Sequence, residues 1–155
     1  MYEYLIEIDN KARALFLEEK YNEALPLFIR IVDEYPDYEH GSAYYDVASC
    51  YEELEEYGEA EKNYLKALAY EPDNVVRLGG LASCYYISEE YEKALVYYIA
   101  LLSVEIKCKA HDFMVPNTII GLKSIIEKLN MSKSEFKDYL KKENCEELFG
   151  KVFPE

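Results

Sequence analysis

A chain of 155 residues, half of them apolar and 31% charged, holds enough material for a packed core, which excludes a disordered segment. Its formal net charge of −14 opposes phosphate contact and so argues against a nucleic-acid binder. The longest apolar run, Ala94 to Leu102, is far short of the ~20 residues a membrane span needs, and Met1-Tyr2-Glu3-Tyr4 lacks the basic start of a secretory leader, so a cytoplasmic protein is expected.

Taken in order, Leu5, Ile8, Ala12 and Leu15 recur at helical spacing and predict a first helix over residues 1–20. Without a helix ahead of it, Tyr2, Tyr4 and Phe16 are expected to stay partly exposed, which offers an edge for a homodimer. A second helix runs to Tyr35 with Ala24, Phe28 and Ile31 inward. Pro26 places its start near Asn22 or Glu23, where a missing amide proton costs little. Pro36-Asp37 ends this pair, and Ser42 or Asp37 caps the next helix, which carries Val47, Ala48 and Tyr51. Tyr57 to Tyr70 returns, and Pro72-Asp73-Asn74 again breaks and caps.

The third pair has Gly79-Gly80 inside its first helix, and its return helix, with no proline near Ile106, extends from Tyr91 to about Lys109. Val115-Pro116 is the next break. Asn117 then caps a helix through Leu129 with Ile119, Leu122, Ile126 and Leu129 on one face. Ser132 to Glu135 has the spacing of a capping box and opens a helix bearing Phe136, Tyr139 and Leu140, followed by a short last helix with Leu148, Val152 and Phe153.

These pairs are copies of one unit. Tyr57, Ala60 and Tyr64 have counterparts Tyr21, Ala24 and Phe28 36 residues earlier, and Tyr91, Ala94 and Tyr98 34 residues later. Ala12, Ala48 and Ala82 are in register, as are Leu15, Tyr51 and Tyr85, and Pro36 and Pro72 close the first two units. Small residues let paired helices approach, and the large aromatics fill the space between their ridges. One hairpin cannot bury its apolar face alone, so the copies must stack.

The pattern resembles the tetratricopeptide repeat family over roughly residues 3 to 106, with a two-residue insertion around Asp37 to His40 and alanine in place of glycine at the small first-helix position. The resemblance implies an all-α fold, a right-handed α-solenoid of three helical hairpins (about 3–38, 41–74 and 75–106). Residues 107–155 then form the extended last helix and a C-terminal helical cap in the same domain.

In this family the first helix of each pair lines a concave groove. Carried onto this sequence, that lining is Asp9, Arg13 and Phe16, then Tyr45, Asp46, Ser49 and Glu52, then Val76, Gly79, Ser83 and Tyr86. Some relatives clamp the C-terminal carboxylate of a chaperone peptide there with lysine, arginine and asparagine. Asp9, Tyr45, Asp46, Gly79 and Gly80 stand at the corresponding places, so that clamp is missing. The resemblance therefore implies protein–protein interaction through an acidic, tyrosine-lined groove that prefers a basic peptide or partner segment. Glycine at position 79 reads either as room for that ligand or as a locally weak helix. Two alternatives stay open: a small chaperone, since class II type III secretion chaperones are similar in size and repeat count, and a self-associating structural unit built on the first helix.

Other chemistry finds little support. Cys50 and Cys84 occupy equivalent positions in successive repeats and read as small hydrophobes rather than a disulfide. Cys108 and His111 are half a zinc site without a second pair, so no metal and no cofactor is expected. His40 and His111 lack a nearby nucleophile motif, and no glycine-rich phosphate loop is present, so the chain is not expected to be an enzyme. Leu122 to Phe136 resembles the first two helices of a Cro-type helix-turn-helix, but Lys141 to Glu147 lacks the small turn residue and the base-reading helix. Charge is uneven: residues 1–106 carry 23 acids against 8 bases, and residues 107–155 carry 8 acids against 9 bases. The acids read either as solvated outer faces or as a preference for basic partners.

Overall fold

The computed structural model describes residues 2–108 and 114–154, and for Tyr2 the backbone alone. All regular structure among them is helical. By its contacts the chain divides into two compact units, 1–72 and 73–155.

The first unit holds α1 (Tyr2–Leu17), α2 (Tyr21–Glu34), α3 (Ser42–Glu53) and α4 (Tyr57–Tyr70). Its core joins Ile8, Ala12, Ala24, Phe28, Ile31, Ala43, Val47 and Cys50, so the residues expected to face inward do so. Ala12, Ala24, Ala48 and Ala60 are fully buried, as close helix contact requires. Burial pushes the Cys50 thiol up to about 12, which leaves it a protonated hydrophobe at neutral pH.

Two local expectations need correction in this unit. α2 begins at Tyr21, so Pro26 lies in its second turn and leaves the Asn22 carbonyl without its helical donor; both residues are exposed, and water can satisfy the carbonyl. Neither Ser42 nor Asp37 caps α3. The residue ahead of that helix is Gly41, at φ +78°, and Asp37 precedes a short 3-10 turn, Tyr38–Gly41, without a side-chain cap bond. The inserted residues are absorbed there by Glu39 and His40 at φ 45° and 56°.

The second unit holds α5 (Val75–Ile87), α6 (Tyr91–Lys107), α7 (Met114–Lys128), α8 (Lys133–Lys142) and the short α9 (Phe149–Val152) after a 3-10 turn at Glu146–Leu148. The Asn74 side chain caps α5 by accepting from Val76 N and Arg77 N at 3.0 and 3.2 Å. Ser132 and Glu135 form both bonds of the capping box, 3.2 and 2.8 Å. α6 is three residues longer than α2 or α4 and ends at Lys107; Lys109 and His111 lie outside the described residues. α7 corrects a further expectation. It starts at Met114, so Val115-Pro116 does not break the chain and Asn117 is inside the helix, because proline in a first turn forfeits no helical bond.

Each hairpin turn repeats one device. Glu19, Glu55 and Glu89 sit two residues before the tyrosine that opens the return helix, all at φ near 60° (59°, 62° and 63°). The amide of the following residue reaches back to Leu15, Tyr51 or Tyr85 O at 2.8–2.9 Å and closes the first helix. α7 closes on α6 at Gly121, where an added Cβ would lie 2.4 Å from the Tyr98 ring. Beyond it, Phe136, Phe149 and Phe153 form a ring cluster with centroids 5.5–6.4 Å apart. Lys123 and Lys133 lie over Phe153, and Lys137 over Phe149, so part of the tail's lysine content covers the cap. No described helix is long and apolar enough to cross a membrane.

Candidate functional site

In the first unit the first helices α1 and α3 bring three groove candidates into one polar network. Arg13 Nε donates to Asp9 Oδ2 at 2.9 Å, while its two terminal nitrogens donate to Asp46 Oδ2 at 2.8 Å and Oδ1 at 3.3 Å. One guanidinium thus serves two carboxylates. Asp9 is only 7% exposed, and its Oδ1 is buried without a hydrogen-bond partner. Burial pushes the Asp46 carboxyl up to about 6, against the pull of Arg13 and with a further push from Asp9 and Glu39.

One turn along α3, Ser49 Oγ donates to the Tyr45 carbonyl at 3.0 Å and lies 3.3 Å from the Tyr64 hydroxyl. Tyr45 meets the Tyr64 ring edge-on at 5.3 Å. Burial raises the pKa of both tyrosines, with nearby Glu52 adding to it, so both hydroxyls remain protonated donors. Phe16 stands apart from this set and packs edge-on against Tyr21 at 5.1 Å within the first hairpin.

In the second unit, Val76 is 57% exposed while Gly79 and Ser83 are half-buried. Tyr86 is engaged: its hydroxyl is 2.8 Å from Ser124 Oγ on α7, and its ring meets Tyr91 edge-on. A Cβ on Gly79 would meet nothing closer than Leu101 at 3.8 Å, an ordinary contact. Packing within this unit therefore does not demand glycine. Gly79→Ala is expected to stabilise the protein by about 0.5–1 kcal/mol, read as an upward shift of the urea midpoint.

Sequence reasoning left several of these features out. Tyr64 was visible as a repeat aromatic but not as a partner of Ser49. Tyr38 and Glu39, which interact electrostatically with Asp9, Arg13 and Asp46, belong to the insertion, whose length was visible and whose shape was not. Glu105, 2% exposed, accepts from Thr118 Oγ1 at 3.0 Å, and burial raises its pKa. An acid between Val104 and Ile106 was its only signal. Among the described residues there is no grouping of three or more metal-ligating side chains, and His111 lies outside them.

Helical hairpins joined by a repeated three-residue turn, with alanine at each crossing, define a helical-repeat protein. Residues 41–74 match the family model of the tetratricopeptide repeat. Residues 41–74 therefore carry a tetratricopeptide repeat. None of the curated proteins matches it in sequence. Among solved structures it is similar to the first TPR of Spaghetti (RPAP3) bound to the HSP90 peptide SRMEEVD, at 21% identity over 81% of this chain and 93% of that one, with a TM-score of 0.69. It is also similar to the TPR2B domain of yeast Sti1 in its pHsp70 complex (16% identity, 80% and 97% covered, TM-score 0.72). A third likeness is to PcrH in complex with the chaperone binding region of PopD (12% identity, 83% and 95% covered, TM-score 0.74). At these identities the likeness establishes the fold.

Proposed function

We propose that the chain is a protein-interaction module that receives a peptide or partner segment on its first-helix faces, with Asp9, Arg13, Tyr45, Asp46, Ser49 and Glu52 as the wall in the first unit. Val76, Gly79, Ser83 and Tyr86 are the corresponding residues of the second. The observation that carries this reading is the Arg13 network, in which two carboxylates share one guanidinium; solved structures of similar fold include the first TPR of Spaghetti bound to an HSP90 peptide and the TPR2B domain of Sti1 in its pHsp70 complex. A surplus of negative charge beside tyrosine rings and hydroxyls suits a ligand with basic and apolar residues rather than an acidic tail.

Selection from a random peptide library on the immobilised protein tests the reading. The enriched peptides are expected to carry net positive charge, and enrichment is expected to vanish with Tyr45→Ala/Asp46→Lys. The acidic peptide SRMEEVD, held by Spaghetti, is expected to show no binding at about 100 µM, a free energy weaker than ~5.5 kcal/mol. Enrichment that survives the double substitution, or tight binding of SRMEEVD, would refute the acidic groove. A second reading, a chaperone that shields a segment of a partner, draws support from the likeness to PcrH in complex with the chaperone binding region of PopD. Cytoplasmic residence belongs to the same proposal, as does pairing of two copies through the α1 edge, where Tyr4 is 40% exposed.

A further inference from the structure

At the end of the first hairpin, beside the first-helix face, lies a pocket of about 490 Å³ lined by Leu5, Ile6, Glu34, Tyr35, Pro36, Asp37, Tyr38 and Glu39. Its floor is apolar: Leu5 is buried, Tyr35 and Tyr38 are half-buried, and Ile6 is 49% exposed. Its rim is acidic, with Glu34, Asp37 and Glu39 exposed and no cation among the described lining residues. Two arginines stand close by and both are committed: Arg30 bonds Glu34 at 2.8 Å and lies over the Tyr4 ring, and Arg13 is held by Asp9 and Asp46. Asp37 accepts from the Tyr70 hydroxyl and Glu39 from Ser42 Oγ, both neutral donors that leave the carboxylate charge in place.

A second observation points the same way. Tyr38 and Glu39 interact electrostatically with the Asp9–Arg13–Asp46 network, so pocket and network share one field. That network has two carboxylates for one guanidinium, and Asp9 Oδ1 is buried without a partner. An acidic rim around an apolar floor is complementary to a side chain with an aliphatic stem and a cationic head. The volume is larger than one such side chain and within the usual range for ligand pockets, ~300–1,000 Å³.

We propose that this pocket anchors a basic–apolar segment of a partner protein, an arginine seated against Leu5, Ile6 and Tyr35 with its guanidinium at Glu39 and Asp37, and an aliphatic neighbour filling the rest. The assignment rests on the interaction-module reading and names the chemistry of the partner.

The probe is a fluorescein-labelled hexapeptide alternating arginine and leucine, followed by fluorescence anisotropy, with glutamate–leucine and glutamine–leucine versions as controls. The arginine probe is expected to bind the wild-type chain and to weaken at least tenfold, about 1.4 kcal/mol, with Ile6→Lys/Glu39→Lys. The same change of charge on α4, Leu65→Lys/Glu59→Lys, is expected to weaken it less than about twofold, because screening leaves only the diffuse field. Equal weakening by the two double variants would overturn the pocket in favour of general attraction. So would equal binding of the glutamine probe, or no binding at all. Loss with Tyr45→Ala but not with Ile6→Lys/Glu39→Lys would overturn the pocket while leaving the groove reading intact. A wild-type dimer by light scattering that Ile6→Lys/Glu39→Lys returns to monomer would identify the occupant as a second copy and also overturn it.

Discussion

Gly41→Ala is expected to lower the unfolding free energy by about 3 kcal/mol, a large effect for a single methyl group. Two independent costs meet at this position. Gly41 sits at φ +78°, where an L-residue with a Cβ is disfavoured by ~1–2 kcal/mol. The added Cβ would also lie 2.4 Å from Tyr70 Cδ2, so the ring must move. That ring is not free to swing away without loss, because it stacks on Tyr44 at 6.1 Å and its hydroxyl bonds Asp37 at 2.9 Å. Urea unfolding in two backgrounds separates the terms. With Tyr70→Ala already present, Gly41→Ala is expected to cost only the backbone part, ~1–2 kcal/mol. A cost below 1 kcal/mol in the wild-type background, or one identical in both, would show that the turn does not hold the position described.

The same turn marks where the sequence stopped being readable. The hairpins were legible because their signal is local: alanine and aromatics at helical spacing, prolines at unit ends, Asn74 and Ser132 with their cap partners two or three residues away. The insertion was legible as a count of residues, but two successive non-glycine residues at positive φ, Glu39 and His40, have no compositional signature. Pro26 and Pro116 misled for a related reason. A proline reports one lost hydrogen bond, and whether that ends a helix depends on exposure and position, which the sequence does not state. In the candidate site, each member was placed by register, yet the bond between Arg13 and Asp46 spans 33 residues. It exists only because the fold brings α1 and α3 within side-chain reach of each other, so its geometry and charge imbalance are tertiary facts. Glu105 was hidden in the opposite way, as one acid among many in an acidic chain, with nothing local to mark it as buried.

That charge imbalance gives the second large expectation. The Asp46 carboxyl has a folded-state pKa of about 6 against an ordinary value of 3.8, with burial as the chief cause. Charged or titratable groups face it from its neighbours: Asp9 and Arg13 from α1, and Tyr38 and Glu39 from the turn. A raised carboxyl pKa means that the folded state binds the proton more tightly than the unfolded chain. The stabilisation is therefore fully present below pH 3.8 and is lost as pH rises through about 6. A shift of this size corresponds to about 2–3 kcal/mol, and Asp46→Asn, which cannot ionise, should remove it. The difference in unfolding free energy, variant minus wild type, is expected to rise by that amount between pH 4 and 7 and then level off. Taking the difference cancels the background from the other carboxylates, whose mutual repulsion also grows with pH. Parallel stability curves would sink the assignment and place the extra proton elsewhere. The same proton links stability to binding: a cationic ligand head and a proton on Asp46 relieve the same surplus charge, so each displaces the other. A basic peptide held on this face should accordingly bind at least about threefold more tightly at pH 7 than at pH 5, and Asp46→Asn should flatten that dependence.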